Sequence, residues 1–359
     1  MAYTRRDVFM GGSGLLLAPW LRQLAFSQTH EPAPPASAVA DPLSYVNPEF
    51  RAGLTGRTTP MSLGAKLLQL ERESEKNTPP RPLLPGVSEH LVPGSKGDPN
   101  IKLYVVGDSP GVSKPAVLHI HGGGYVLMNG AVTQSEIELV NKLDCVVVSV
   151  EYRLAPETRF PGSLEDNYAA LRWMNENAKQ LGIDTARIAV KGESAGGGHA
   201  AMLTLAVRER KEFALCHQVL IYPELDDRTG STRKVPPYIG YYVWTAQSNQ
   251  FAWSSLLGIP AGSRTVPINS VPAREENLAG LPPAFIGVGS IDLFAPEDVE
   301  YSRRLLEAGV PTELMVVPGG YHGFDIFCPD APLSVRFKTA WTEALRSSFA
   351  SGRTSPQAG

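Results

Sequence analysis

The chain has 359 residues, a length that allows one large domain or two ordinary ones, with enough apolar surface to form a core without disulfides. Its 33 basic and 36 acidic residues give a formal net charge of −3, which argues against nucleic-acid binding and against a polybasic mode of membrane attachment. The three cysteines, Cys145, Cys216 and Cys328, form no close pair. They predict neither a disulfide framework nor, together with the histidines, a zinc site.

The first 27 residues have the pattern of an export signal. Arg5 and Arg6 precede an apolar stretch from Met10 to Trp20, and small residues follow it near Ser27. This arrangement resembles a twin-arginine signal peptide, and the apolar stretch is shorter than the about 20 residues that a stable transmembrane helix needs. We therefore expect export to the periplasm or the extracellular space, with no stable membrane span. The alternative is an amphipathic N-terminal helix that happens to carry paired arginines, in a cytoplasmic protein.

Strand and helix patterns alternate over most of the remaining chain. Residues 28–44 are rich in Pro, Ala and Ser and predict a linker, whereas apolar residues at helical spacing within 45–85 predict the first helices of a cap. Short apolar runs that predict strands then alternate with helical patterns, which favours a mostly parallel central sheet flanked by helices. We expect this α/β domain to comprise residues 86–227 and 263–351 and to be followed by a flexible tail, 352–359.

Residues 228–262 interrupt this alternation and are rich in aromatic residues. The positions of Tyr241, Trp244, Ser248 and Phe251 have the spacing of helices, and we interpret the segment as the second half of the cap. Its aromatic rings could line an acyl or alcohol pocket, or they could only pack the cap against the core.

A serine lies between glycines at a predicted turn from a strand to a helix. Residues 192–196 read Gly-Glu-Ser-Ala-Gly, after a short apolar run and before a helical one. Glycine allows a sharp turn of the chain, and the turn pushes the serine Oγ out of the sheet. We therefore predict that Ser194 is a nucleophile, in a turn supported by Gly192, Glu193 and Gly196.

A second glycine-rich segment follows a predicted strand upstream. Residues 121–125 read His-Gly-Gly-Gly-Tyr, and successive glycines leave backbone N–H groups free to point into a pocket. Together with the N–H of Ala195, these groups could hold the negative oxygen of a tetrahedral intermediate. No Gly-Lys-Ser/Thr follows the glycines, which disfavours a phosphate-binding P-loop.

Two later strands are predicted to end beside groups that would complete the site. Asp292 follows the strand predicted at 283–289, and His322 follows the one predicted at 313–317. The chain order Ser194, Asp292, His322 is the one expected of α/β-hydrolases. Because the carboxyl ends of parallel strands lie at one edge of a sheet, we expect these groups to meet there.

Other residues compete for these roles. Glu297 and Asp298 could replace Asp292 as the acid, although they begin a predicted helix whose N-terminal dipole stabilises carboxylates in any case. The histidines nearer to Ser194 in sequence are His119, His121, His199 and His217. We expect His119 and His199 to pack or to form hydrogen bonds, and His121 to brace the glycine loop.

Together these motifs resemble the bacterial hormone-sensitive-lipase family of carboxylesterases, within the α/β-hydrolase fold. The resemblance covers roughly residues 45–347 and also includes Tyr-Arg-Leu-Ala-Pro-Glu at 152–157 and Tyr-His-Gly-Phe at 321–324. It implies a helical cap, no cofactor or metal, and small-molecule esters with short- to medium-chain acyl groups as substrates. Glu193 departs from the pattern, because this family often has Asp at that position.

By position, the resemblance implies a catalytic triad and an oxyanion hole. Ser194 would be the nucleophile, His322 the base and Asp292 the acid. The N–H groups of the oxyanion hole would be those of Gly122, Gly123 and Ala195, in a loop that also contains His121 and Gly124. Two other functions stay open: hydrolysis of amides, peptides or lactones by the same groups, and non-catalytic binding of a small ligand. The oligomeric state, monomer or dimer, is also open.

Overall fold

The protein is described from a computed structural model, which covers residues 41–56, 59–79, 82–95 and 97–351. The predicted signal peptide, the predicted tail and all but the end of the predicted linker lie outside the described residues. Within the described ranges, no helix combines the length and the apolar character needed to span a membrane.

An eight-stranded sheet forms the centre of the protein, with the strand order β1-β2-β4-β3-β5-β6-β7-β8. β2 pairs antiparallel with β1 and with β4, and every other pair of neighbours is parallel, which confirms the predicted mostly parallel α/β fold. The strands are β1 (Val87–Val92), β2 (Ile101–Val106), β3 (Lys114–Ile120), β4 (Val146–Glu151), β5 (Ile183–Glu193), β6 (His217–Ile221), β7 (Ala284–Gly289) and β8 (Thr312–Val317).

Two apolar cores lie on opposite faces of this sheet, because side chains alternate between the faces along each strand. Val148 and Val190 belong to one core, whereas their neighbours Val147 and Ala189 belong to the other. The described α-helices are Ala65–Asn77, Gln134–Leu143, Gly162–Glu176, Ala178–Leu181, Ala195–Arg210, Ala246–Leu257, Ala295–Glu307, Phe324–Phe327 and Pro332–Ser351. Short 3-10 helices form at Pro42–Tyr45, Pro48–Leu54 and Pro272–Arg274.

The two segments predicted to form a cap contact each other. Ser62 Oγ lies 2.8 Å from Thr245 Oγ1, and the N–H of Leu63 donates to Ser248 Oγ at 2.8 Å. These bonds join the chain before helix Ala65–Asn77 to the start of helix Ala246–Leu257. The boundaries of the cap remain a prediction.

The predicted helical spacing in the second cap segment is wrong at its start. Ser248 and Phe251 lie in helix Ala246–Leu257, but Tyr241 and Trp244 precede it. Thr245 is extended and caps the helix, accepting a hydrogen bond from the N–H of Ser248 at 3.2 Å. The helix therefore begins only after Thr245, and the earlier aromatic rings are carried on irregular chain.

Candidate active site

Ser194 lies at the turn between β5 and the helix Ala195–Arg210, in the position predicted for a nucleophile. Its backbone has φ of 57° and ψ of −124°, a sparsely populated conformation for a residue with a side chain. The N–H of Ser194 donates to the carbonyl of Ile221 at the end of β6 (2.9 Å), which fixes the turn against the neighbouring strand. A Cβ on Gly196 would overlap the carbonyl oxygen of Ile120, so the close approach of β3 requires glycine there.

A continuous chain of hydrogen bonds joins Ser194, His322 and Asp292. Ser194 Oγ lies 2.9 Å from His322 Nε2, and His322 Nδ1 lies 2.9 Å from Asp292 Oδ2. Asp292 is fully buried, and both Ser194 and His322 are 7% exposed. The second oxygen of Asp292 accepts the N–H of Phe294 at 3.0 Å. The structure thus brings together three predicted site residues that are far apart in the sequence.

The competing carboxylates bind elsewhere. Glu297 Oε1 accepts the N–H groups of Leu225 and Asp226 at 2.7 and 3.1 Å, which attaches it to the loop after β6. Asp298 is fully buried, and its two oxygens have no hydrogen-bond partner within the described part of the chain. Burial raises the pKa of both carboxyl groups well above the ordinary range. Neither group contacts His322, so the carboxylate at the histidine is Asp292.

The glycine loop packs directly on the turn that holds Ser194. A Cβ on Gly122 would lie 2.9 Å from the carbonyl oxygen of Glu193, so only glycine allows this approach without displacement. Gly123 and Gly124 have positive φ values of 112° and 59°, which favour glycine. Within the described residues, no protein acceptor binds the N–H of Gly122, Gly123 or Ala195. Three donors therefore stay available beside Ser194.

His121 and Tyr152 brace this loop, as predicted for His121. The His121 ring stacks on Tyr152 at 4.1 Å between centroids, and its Nδ1 donates to the carbonyl of Gly122 at 2.8 Å. The Tyr152 hydroxyl donates to the carbonyl of His121 at 2.9 Å. Burial lowers the pKa of His121 to about 3, so the ring is neutral and acts as a structural donor.

The other histidines are structural as well. His199 is fully buried, with its ring edge-on to Tyr125 and Tyr152 at 4.9 and 4.7 Å between centroids. Burial lowers the pKa of His199 to about 3 and that of His217 to about 4. His119 forms hydrogen bonds with Ser149 Oγ and Glu193 Oε2 at 3.0 and 2.9 Å. The expectation that His119 and His199 pack or form hydrogen bonds is confirmed.

Three aromatic rings surround His322, an arrangement that the sequence does not predict. Tyr222 and Phe294 approach the imidazole edge-on, at 4.9 and 5.2 Å between centroids. The half-buried indole of Trp244 lies 6.2 Å away and also contacts Gly124 so closely that a Cβ there would overlap it. Trp244 thus spans the space between the glycine loop and the histidine.

No group of three or more His, Cys, Asp or Glu side chains is arranged to hold a metal ion within the ranges described above. The polar groups that converge on Ser194 are an imidazole, a carboxylate and backbone N–H donors. This arrangement is suited to activating a hydroxyl and stabilising an oxyanion.

Residues 117–326 match the model of a protein family described as having the alpha/beta hydrolase fold. This match covers more than half of the chain and includes Ser194, Asp292 and the glycine loop. The chain belongs to the hormone-sensitive-lipase family of carboxylesterases. This family membership confirms the resemblance inferred from the sequence motifs.

Several named relatives of this family member are esterases. Esterase LipI of Mycobacterium tuberculosis is 32% identical over 291 residues, which cover 78% of this chain and 88% of the relative. The ethyl acetate hydrolase of Pseudomonas putida is 34% identical over 221 residues, covering 60% of this chain and 68% of the relative. Among solved structures, a bacterial heroin esterase superimposes with a TM-score of 0.75 at 34% identity, covering 86% of this chain and 99% of that one.

Proposed function

We propose that the protein hydrolyses short- to medium-chain acyl esters through a Ser194–His322–Asp292 triad and an acyl-enzyme intermediate. The observation that carries this proposal is the pair of 2.9 Å contacts that link Ser194 Oγ to His322 and His322 to Asp292. Membership of a carboxylesterase family supports ester hydrolysis as the reaction class. The proposed triad names the atoms that would carry out each step.

In the acylation step, Ser194 Oγ attacks the ester carbonyl carbon while His322 Nε2 takes the hydroxyl proton. Asp292 accepts the Nδ1–H, which keeps Nε2 unprotonated before the attack and stabilises the imidazolium after it. The negative oxygen of the tetrahedral intermediate is held by the three available N–H donors, each of which typically contributes roughly 3 kcal/mol to lowering the barrier. His322 then protonates the alcohol as it leaves.

In the deacylation step, water repeats the sequence on the acyl-enzyme. His322 removes a proton from the water, the resulting hydroxide attacks the acyl carbon, and the oxyanion again occupies the donors of the glycine loop. His322 finally returns the proton to Ser194 Oγ. The products are a carboxylic acid and free enzyme, and the protein's own side chains supply every proton transfer.

The surroundings of Ser194 support a small acyl group. The half-buried indole of Trp244 places aromatic surface between the glycine loop and His322, which suits an apolar substituent on the ester and limits the room for it. The name of the Pseudomonas relative, ethyl acetate hydrolase, denotes an ester with a two-carbon acyl group as that protein's substrate. We extend this preference to the present chain as part of the proposal.

The experiment that tests the proposal is hydrolysis of p-nitrophenyl esters from acetate to palmitate by wild-type protein and by Ser194→Ala. We expect wild-type activity to peak at short to medium chains and the variant to lose it while keeping its fold, as judged by circular dichroism. Activity that survives in the variant would show that another residue is the nucleophile. A folded wild type with no activity on any chain length would contradict ester hydrolysis.

A further inference from the structure

A row of buried polar side chains crosses the sheet beneath the turn that holds Ser194. Ser149 on β4 lies opposite His119 on β3, and His119 lies opposite Lys191 on β5. Glu193 follows Lys191 by two residues along β5, so its side chain is on the same face. The side chains of His119 and Lys191 are almost fully buried, which is unusual for a lysine.

Glu193 is bound through both of its carboxylate oxygens. Its Oε2 lies 2.9 Å from His119 Nε2, and its Oε1 forms an ion pair with Lys191 Nζ. Burial lowers the pKa of His119 to about 4, so the ring is neutral near pH 7. Its Nε2–H therefore donates to Glu193, and its Nδ1 accepts the hydroxyl proton of Ser149 at 3.0 Å.

The helix Gln134–Leu143 contributes a second carboxylate to this cluster, and it is more deeply buried than that of Glu193. Glu136 accepts the N–H and the hydroxyl of Thr133 at 2.8 and 2.6 Å, and its other oxygen lies 3.8 Å from His119 Nε2. It is as buried as His119, but it belongs to a surface-layer helix and has no covalent link to the turn at Ser194. Glu193 and Glu136 thus both lie beside His119 and differ in their burial and in their connection to the site.

Glu193 is covalently next to Ser194 and touches the other half of the site through its backbone. Its carbonyl oxygen packs against Gly122, at 2.9 Å from the position that a Cβ would take. A rotation of the Glu193 peptide would therefore move Ser194 Oγ relative to both His322 and the glycine loop. The strained dihedral angles of Ser194 persist only where the surrounding contacts hold them.

We propose that Glu193 is a positioning residue for the ester hydrolysis proposed above, on which this inference rests. Its carboxylate is held by His119 on the neighbouring strand and by Lys191, two residues earlier on its own strand. These contacts fix the orientation of the turn that presents Ser194 Oγ. Glu193 does not contact the reacting atoms, so its effect is on the geometry of attack and not on substrate binding. The alternative is that Glu193 serves only as the counter-ion of Lys191 and contributes stability alone.

The test compares Glu193→Gln with Glu136→Gln, a control that removes the same charge from the same cluster around His119. For each we would measure kcat and KM on p-nitrophenyl butyrate, the rate at which a fluorophosphonate probe labels Ser194, and the urea midpoint. We expect both variants to be less stable. Glu193→Gln should lower kcat and the labelling rate at least about tenfold with KM within about twofold, because a 1 Å misplacement can cost about 100-fold. Glu136→Gln should keep kcat within about twofold.

Equal kcat values in the two variants, or a loss in Glu193→Gln that falls on KM, would overturn the positioning role. If Glu193→Gln does not fold, Lys191→Met removes one of the two contacts and leaves the bond to His119. It should lower kcat by roughly threefold at unchanged KM, and an unchanged kcat would overturn the proposal. Wild-type protein that neither hydrolyses the ester nor takes the label would instead overturn the proposed function, and this inference with it.

Discussion

Replacing Asp292 with asparagine would reverse a hydrogen bond at the triad while keeping the shape of the side chain. Asp292 accepts two N–H groups, from His322 Nδ1 at 2.9 Å and from the backbone of Phe294 at 3.0 Å. An asparagine amide offers one oxygen and one NH₂ group, so it cannot accept from both. With its oxygen toward Phe294, its NH₂ group faces Nδ1, and the imidazole proton moves to Nε2. That is the atom that must accept the proton of Ser194.

The size of the effect follows from the cost of the opposite amide orientation. The opposite orientation turns the NH₂ group toward the N–H of Phe294 and leaves that buried donor without an acceptor. This costs about 1–3 kcal/mol, so roughly one molecule in 5 to 150 adopts this orientation and keeps the productive tautomer, in which Nε2 is unprotonated. In those molecules a neutral oxygen replaces a carboxylate beside the imidazolium, which costs about a further 1–2 kcal/mol, or roughly 5- to 30-fold. We therefore expect kcat to fall between roughly 30-fold and several thousandfold, near the about 10⁴-fold found for the equivalent change in a serine protease.

The assay measures kcat for p-nitrophenyl butyrate near neutral pH in Asp292→Asn and in Asp298→Asn. The second variant is the matched control, because Asp298 is as fully buried as Asp292 but does not contact His322. We expect the control to stay within about threefold of wild type, since its change alters no triad hydrogen bond. A loss of less than about tenfold in Asp292→Asn, or an equal loss in the control, would refute the reasoning.

Three further changes probe the surroundings of the site. Burial raises the pKa of Asp298, so the native state holds its proton while the unfolded chain releases it as pH rises above about 4. Asp298→Asn removes this cost, so its unfolding free energy relative to wild type should rise with pH above about 4, by up to about 1.4 kcal/mol per pH unit, in urea titrations. Trp244→Ala should favour longer acyl chains, by about fourfold in kcat/KM for each added methylene that the enlarged pocket accepts. Gly196→Ala, whose Cβ would overlap Ile120, should lower the stability by about 1–3 kcal/mol, seen as a lower Tm.

For each of these three variants, one outcome would contradict the expected result. A stability difference for Asp298→Asn that does not change with pH would mean that the buried carboxyl group is ionised. Tyr238→Ala is the aromatic control from the same segment, because the Tyr238 ring stacks on Tyr45. An unchanged chain-length profile in Trp244→Ala would place the acyl group away from the indole. Gly196→Ala with wild-type Tm would contradict the close contact between the turn and β3.

The meeting of Ser194, His322 and Asp292 could be predicted from the sequence because each residue lies next to a local signal. Glycines flank Ser194 at a strand-to-helix turn, and both Asp292 and His322 follow apolar runs that became β7 and β8. Parallel strands bring their carboxyl ends to one edge, so local patterns were sufficient to predict a distant meeting. The position of Trp244 could not be predicted in this way, because the helical spacing of the residues extends over a segment in which the helix begins only after Thr245.

The polar cluster around Glu193 shows a second limit of sequence analysis. His119 is 74 residues from Glu193 in the chain, and their contact depends on the register between β3 and β5. The hydrophobic pattern of one segment does not reveal how that strand is aligned with its neighbour. The raised pKa of Asp298 has the same origin, because the burial that causes it comes from segments that are distant in sequence. The sequence signals for such interactions are indirect: Glu193 departs from the family motif, and His119 and Lys191 interrupt apolar strand runs.

The measurement that tests the central claim most directly is covalent labelling of the wild-type protein with a fluorophosphonate, followed by mass mapping of the modified peptide. An activated serine displaces the leaving group and keeps the phosphonyl adduct, whereas an ordinary serine does not react. We predict a single adduct on Ser194 that is absent in Ser194→Ala and strongly reduced in His322→Ala. No adduct on folded protein, or an adduct on another residue, would contradict the assignment of Ser194 as the nucleophile.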